Sequence, residues 1–166
     1  MTAQAYPAST NVVATYRYGP GVVMRRMLSF GQREDRALIY LMVGCIIMFV
    51  AQLPRIAREA TLGGYDSGPE MQAAALGWVL FMPLVLYLIA PVSHLIGKLF
   101  GGRGSWYGAR LALFWALLAA SPLHLLLGLT AGFIGPGIEA TITGVLWGAA
   151  FLWFWIGGAI AQEREA

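Results

Sequence analysis

The sequence predicts an all-α membrane protein with four transmembrane helices preceded by a short interfacial amphipathic helix. Three observations predict it. Of the 166 residues, 58% are hydrophobic and 11% charged, too few charges to clothe a soluble domain of this size. Four stretches run without charge for long enough to cross a hydrocarbon core of about 30 Å, which takes around 20 helical residues. Basic side chains are distributed very unevenly between the two ends of those stretches.

Residues 1–19 are polar and rich in small side chains and read as a mobile tail. They lack an apolar run followed by a small-residue cleavage site, so no cleaved leader is expected and the first span serves as the insertion signal. Residues 20–36 read either as an amphipathic helix lying on the membrane or as an ordinary juxtamembrane connector that obeys the positive-inside rule. At 100° per residue, Val23, Met24, Met27, Leu28 and Phe30 share one face, and Arg25, Arg26, Arg33 and Arg36 lie opposite. Such a helix buries its apolar side at the acyl boundary and offers its arginines to anionic lipid, each worth about 1 kcal/mol near the surface.

The transmembrane domain is expected over residues 37–162, with a short tail at 163–166. Its spans run from Ala37 to Pro54, Met71 to Gly97, Leu111 to Ile138 and Ala140 to Gln162. Gly135, Pro136 and Gly137 interrupt the last two and mark a tight helical hairpin. Backbone amides in lipid must bond internally, so each span is a helix; the alternation typical of membrane barrels is absent. Arg17, Arg25, Arg26, Arg33, Arg36, Lys98, Arg103, Arg110 and Arg164 fall on one side, and only Arg55 and Arg58 on the other. The positive-inside rule therefore puts both termini in the cytoplasm. Arg103 and Trp106 pin the loop between the second and third spans to the headgroups, and Trp78 anchors the opposite leaflet.

The net charge of +3 and the pI near 9.3 raise the question of nucleic acid. Only one of the eleven basic residues is Lys, and no basic cluster alternates with aromatics, so nucleic acid is not an expected partner. Cys45 is the single cysteine, inside an apolar stretch, and behaves there as a small hydrophobe.

His94 and His124 are the ionisable residues inside spans, where such groups are functional candidates. His94 lies four residues from Lys98 and His124 fourteen from Arg110, a depth difference of roughly 15 Å that is too large for shared haem or metal ligation. Each is expected to be a neutral imidazole bonded to a neighbouring carbonyl or hydroxyl. All eight acids lie outside the spans or at their edges, so no proton relay, catalytic triad or metal-ligand spacing can be drawn. No catalytic, cofactor-binding or metal site is expected. Gly128 and Gly132 before the hairpin turn, and Gly144 and Gly148 after it, are expected to pack backbone against backbone within the hairpin, or through Gly144 with a second copy of the chain. Gly157 and Gly158 form a third small patch, more available to another protein.

The loop and third span read Leu95-Ile-Gly-Lys-Leu-Phe-Gly-Gly-Arg-Gly-Ser-Trp-Tyr-Gly and continue to Ser121-Pro122. This resembles the bacterial branch of the YIP1 family, where a Gly-Gly-x-Gly-Ser-aromatic turn precedes a span with a central Pro. The basic segment around Met24, Arg25, Arg26 and Met27 is also similar to that family. The loop reads well without it, since Ser105 is a good N-cap for the third span. The resemblance implies a non-enzymatic membrane adaptor or accessory protein that contacts lipids, other membrane proteins or a second copy of itself. The alternative is a small transporter or channel subunit with a polar path near His94 and His124; a haem-binding electron carrier would be a third.

Overall fold

The computed structural model describes residues 12–99 and 101–165. They form seven α-helices, α1 (Val12–Tyr18), α2 (Pro20–Ser29), α3 (Glu34–Gly63), α4 (Gly68–Ala75), α5 (Met82–Leu99), α6 (Trp106–Phe133) and α7 (Ile138–Glu165), with a π-helical segment, Leu76–Phe81, joining α4 to α5. Four helical rods are long and apolar enough to cross a membrane: Glu34–Gly63, Gly68–Leu99, Trp106–Phe133 and Ile138–Arg164. The chain is a multi-pass helical membrane protein. One end of the bundle carries Arg33, Arg36, Lys98, Arg103, Arg110 and Arg164 and is here termed the basic end.

α6 is the central helix, packed against α3 on one side and α7 on the other. From Tyr107 to Ser121 every residue but the half-buried Arg110 and Leu118 is buried. The Ser105 hydroxyl caps it, accepting from the Gly108 N–H at 2.9 Å. The α6–α7 hairpin turns at Ile134–Gly137, where Gly135 takes φ +104°, a conformation that a side chain would strain.

The first span is longer than the sequence suggests. Pro54 stands inside α3, which continues to Gly63 and closes on Gly64 in the left-handed conformation. A proline removes one hydrogen bond from the ladder, and here the following turns are held by other means. Arg55 pairs with Glu59 at 2.9 Å, and the Arg58 guanidinium donates to the Phe133 carbonyl at 3.1 Å at the open end of α6. The π-helical segment lies just ahead of Pro83, whose missing N–H loosens the ladder. It carries Trp78, whose ring turns inward to 5.9 Å from His124 rather than standing free at an interface.

The helix ahead of the first span is present, but it ends at Ser29 instead of Arg36. Gly31, at φ +81°, makes the break before Glu34 opens α3. The face expected in lipid is turned onto the protein: Val23, Met24 and Met27 are buried, Leu28 is half-buried and Phe30 remains exposed. A methyl group on Gly157 would stand 2.6 Å from Pro20 Cγ, and one on Gly158 would stand 3.3 Å from Met24 Cε. The small patch on α7 is therefore where α2 docks, since side-chain-free backbone lets a second helix approach closely.

Residues 1–11 lie outside the described region, but Val12–Tyr18, expected in the tail, form α1. Thr15 is buried and its hydroxyl accepts from the Trp115 indole N–H at 3.0 Å; the Tyr16 hydroxyl donates to the Ala119 carbonyl at 3.0 Å. Trp115 is ten residues past Ser105, or about 15 Å into the bundle. α1 thus lies well below the basic end, and Arg17 with it, although the charge count places Arg17 beside the other basic residues.

Candidate functional site

At the basic end, α5, the turn that follows it, the start of α6 and the end of α7 bring polar groups together. The turn after α5 reverses at Gly101, φ +82°, and returns its N–H groups toward the end of α7. Glu163 Oε2 accepts from the Gly104 N–H at 2.7 Å, and Gln162 Oε1 accepts from the Ser105 N–H at 3.1 Å. Gln162 Nε2 donates to Glu163 Oε1 at 2.5 Å, and the Arg103 N–H donates to the Glu163 carbonyl at 3.3 Å. The glycines are needed for proximity, since side chains at Gly97, Gly102, Gly104 or Gly108 would collide with Glu163 or Gln162.

His94 completes the cluster. It is 1% exposed, and with its proton on Nδ1 it donates to Glu163 Oε1 at 3.4 Å. Its ring meets that of Trp106 at 4.4 Å, and Lys98 Nζ stands over the same Trp106 ring, 5.4 Å from its centroid. The neighbouring carbonyl or hydroxyl expected as its partner is not used: the Ser93 hydroxyl donates to Ala90 instead. Sequence reasoning missed Glu163 because it lies 69 residues from His94 in a segment read as a tail. Three donors occupy a carboxylate with about four lone-pair sites, which leaves Glu163 one acceptor site.

Beside this cluster, α5 and α7 part, leaving a groove of about 690 Å³. Ile96, Trp155, Ile156 and Ile160 line its apolar length, and Glu163 and Arg164 its polar end. From Trp155 to Arg164 the wall rises about 14 Å along α7.

The remaining predicted site residues are dispersed. Arg25 lines a smaller recess with Ser105, Tyr107 and Gln162, and Arg26 lies on the same helix. Arg33 pairs with Asp35 at 3.5 Å, and the Arg36 guanidinium covers the Phe30 ring at 5.5 Å. Arg103 and Trp106 are exposed at the turn. Arg110 pairs with Glu34.

The glycine faces pack otherwise than expected. A side chain on Gly128 would strike the Ala51 backbone and one on Gly132 would strike Pro54, so both serve the contact of α6 with α3. Gly144 looks onto Leu127, where a methyl group would sit at 3.8 Å, and Gly148 faces open space. In the hairpin itself the close contact is polar, between the Thr130 and Thr143 hydroxyls at 3.1 Å. The reason is that the hairpin turn sets the depth of the glycines but not the rotation of each helix about its axis.

His124 belongs to a separate cluster. Gln52 Nε2 lies 3.3 Å from its Nε2, and an amide nitrogen only donates, so the proton of a neutral ring stands on Nδ1. Among the described residues that nitrogen is buried without a partner, as is Trp147 Nε1, whose ring lies 4.7 Å from His124. A cavity of about 160 Å³ adjoins Gln52, Arg55 and His124. Sixteen residues of α7 separate Trp147, beside His124, from Glu163, beside His94, which is roughly 24 Å. The two histidines share no neighbour among the described residues, and no three His, Cys, Asp or Glu side chains there converge on a common point.

No protein-family model, curated protein or solved structure matches this chain.

Proposed function

We propose that this is a non-catalytic integral membrane adaptor or accessory protein of the YIP1-like type, acting through lipid and membrane-protein contacts in a bacterial cytoplasmic membrane. The observation that carries this reading is the groove between α5 and α7, which joins an apolar wall to a charged end. A lipid has that same division between chain and headgroup. The arginines of the basic end add attraction to anionic headgroups, Arg25, Arg26, Arg33, Arg36 and Arg103 among them. That end faces the cytoplasm in this reading, with Arg55 and Arg58 on the far side. Arg17 lies deeper and does not bear on it.

Crosslinking in the membrane followed by purification in mild detergent tests the reading. Bound lipid or a crosslinked protein partner at near-stoichiometric level is expected, and a monomer free of both overturns it. The alternative, a small transporter or channel subunit, draws support from the cavity beside His124. It predicts that His124→Phe alters a measured flux in proteoliposomes.

A further inference from the structure

The polar end of the α5–α7 groove is asymmetric in a way that selects a headgroup. Glu163 and Arg164 are consecutive residues of α7, and both line the groove. They present an acid and a base to one occupant within about a residue's rise along the helix. The Glu163 carboxylate is anchored by Gly104 N–H, Gln162 Nε2 and His94 Nδ1 on its protein side, and among the described residues its remaining lone pair is unclaimed. Arg164 is exposed at the rim and carries five N–H donors suited to a phosphate.

A headgroup with a phosphate alone would meet Arg164 but bring a second anion beside Glu163, and like charges at contact distance repel. A headgroup bearing both a phosphate and a primary ammonium meets both. The ammonium donates hydrogen bonds, whereas a trimethylated nitrogen offers none. Below this end, Ile96, Trp155, Ile156 and Ile160 supply a wall for the upper part of an acyl chain along about 7.5 Å of α7.

We propose that the α5–α7 groove holds one phospholipid with a primary-amine zwitterionic headgroup, its ammonium on Glu163 and its phosphate on Arg164. The inference rests on the reading of the chain as a lipid-contacting protein and adds the lipid class and the residues that select it. Glu163 is then a residue that chooses among lipids, beyond its part in closing the turn after α5.

Native mass spectrometry of the detergent-purified full chain, titrated with phosphatidylethanolamine, phosphatidylglycerol and phosphatidylcholine of identical acyl chains, tests it. One phosphatidylethanolamine per chain is expected, with at least about tenfold preference over the other two, corresponding to about 1.4 kcal/mol. Glu163→Gln should reduce the preference over phosphatidylcholine to about twofold or less. Arg164→Gln lies outside the hydrogen-bonded turn and should weaken retention of phosphatidylethanolamine severalfold with unchanged thermal stability. Ala159→Phe, which fills the groove, should abolish retention. If Glu163→Gln fails to fold, the Arg164 and Ala159 variants decide. Lipid retained without headgroup preference, or retained equally by Ala159→Phe, overturns the inference while leaving the broader reading intact. Absence of any retained lipid or partner overturns both.

Discussion

Replacing Gly128 by alanine sets a methyl group against the backbone of α3. The new Cβ would stand 2.8 Å from the Ala51 carbonyl carbon and 3.1 Å from its Cα, and would overlap the carbonyl oxygen. A carbonyl in the body of a helix cannot rotate away as a side chain can, so the two helices must separate. The overlapping carbonyl oxygen sets the retreat, which must exceed the roughly 0.6 Å that the carbonyl carbon alone would need to reach ordinary contact at about 3.4 Å, and even a gap of 0.5–1 Å forfeits roughly a quarter to a half of each affected dispersion contact. Overpacking of this kind costs about 1–3 kcal/mol, and the better helix propensity of alanine offsets up to about 1 kcal/mol of it. The expected net loss is about 1–2 kcal/mol. Gly148→Ala is the matched control: nothing lies within 4 Å of its added Cβ, so it should be neutral or slightly stabilising. Thermal unfolding of both variants in one detergent, followed by near-ultraviolet circular dichroism, measures the contrast. A Gly128→Ala protein that melts at or above the parent, or a Gly148→Ala protein that falls as far, refutes the packing argument.

Thr15→Val removes the acceptor for the Trp115 indole N–H in a buried site and should cost about 1–3 kcal/mol. Adding Trp115→Phe should recover part of that loss, because no unpaired donor then remains; a double-mutant cycle from unfolding data checks it. Ser105→Ala removes the cap on α6 and should cost about 1 kcal/mol, with Ser105→Asp retaining most of the stability in the same melts. Gln52→Leu deprives His124 Nε2 of its donor and should cost about 1–3 kcal/mol. The Gln52→Leu/His124→Phe pair should be less destabilised than the single variant, and equal or greater destabilisation would contradict the assigned partnership.

The candidate site was partly legible before the fold. The turn at Gly101–Ser105 and the cap by Ser105 follow from local residue types. The acid that meets His94 does not, since Glu163 stands in a segment whose sequence reads as a solvated end. The docking of α1 was equally hidden: Val12–Tyr18 is too short to hold a helix alone, and Thr15 acquires a fixed role only when Trp115 is beside it.

The sequence by itself determined the four spans, the hairpin at Gly135 and the basic end, because hydrocarbon thickness and backbone satisfaction act on each segment separately. Only the tertiary structure decided which face each helix turns to its neighbours. Lipid tails are as apolar as leucine, so a spanning helix has no need of a polar side, and the periodicity that reveals a buried face in water is lost. Gly128 and Gly148 look alike in such a segment. The first lies against the Ala51 backbone and the second faces open space, a difference set by how α3, α6 and α7 rotate to fill the space between them.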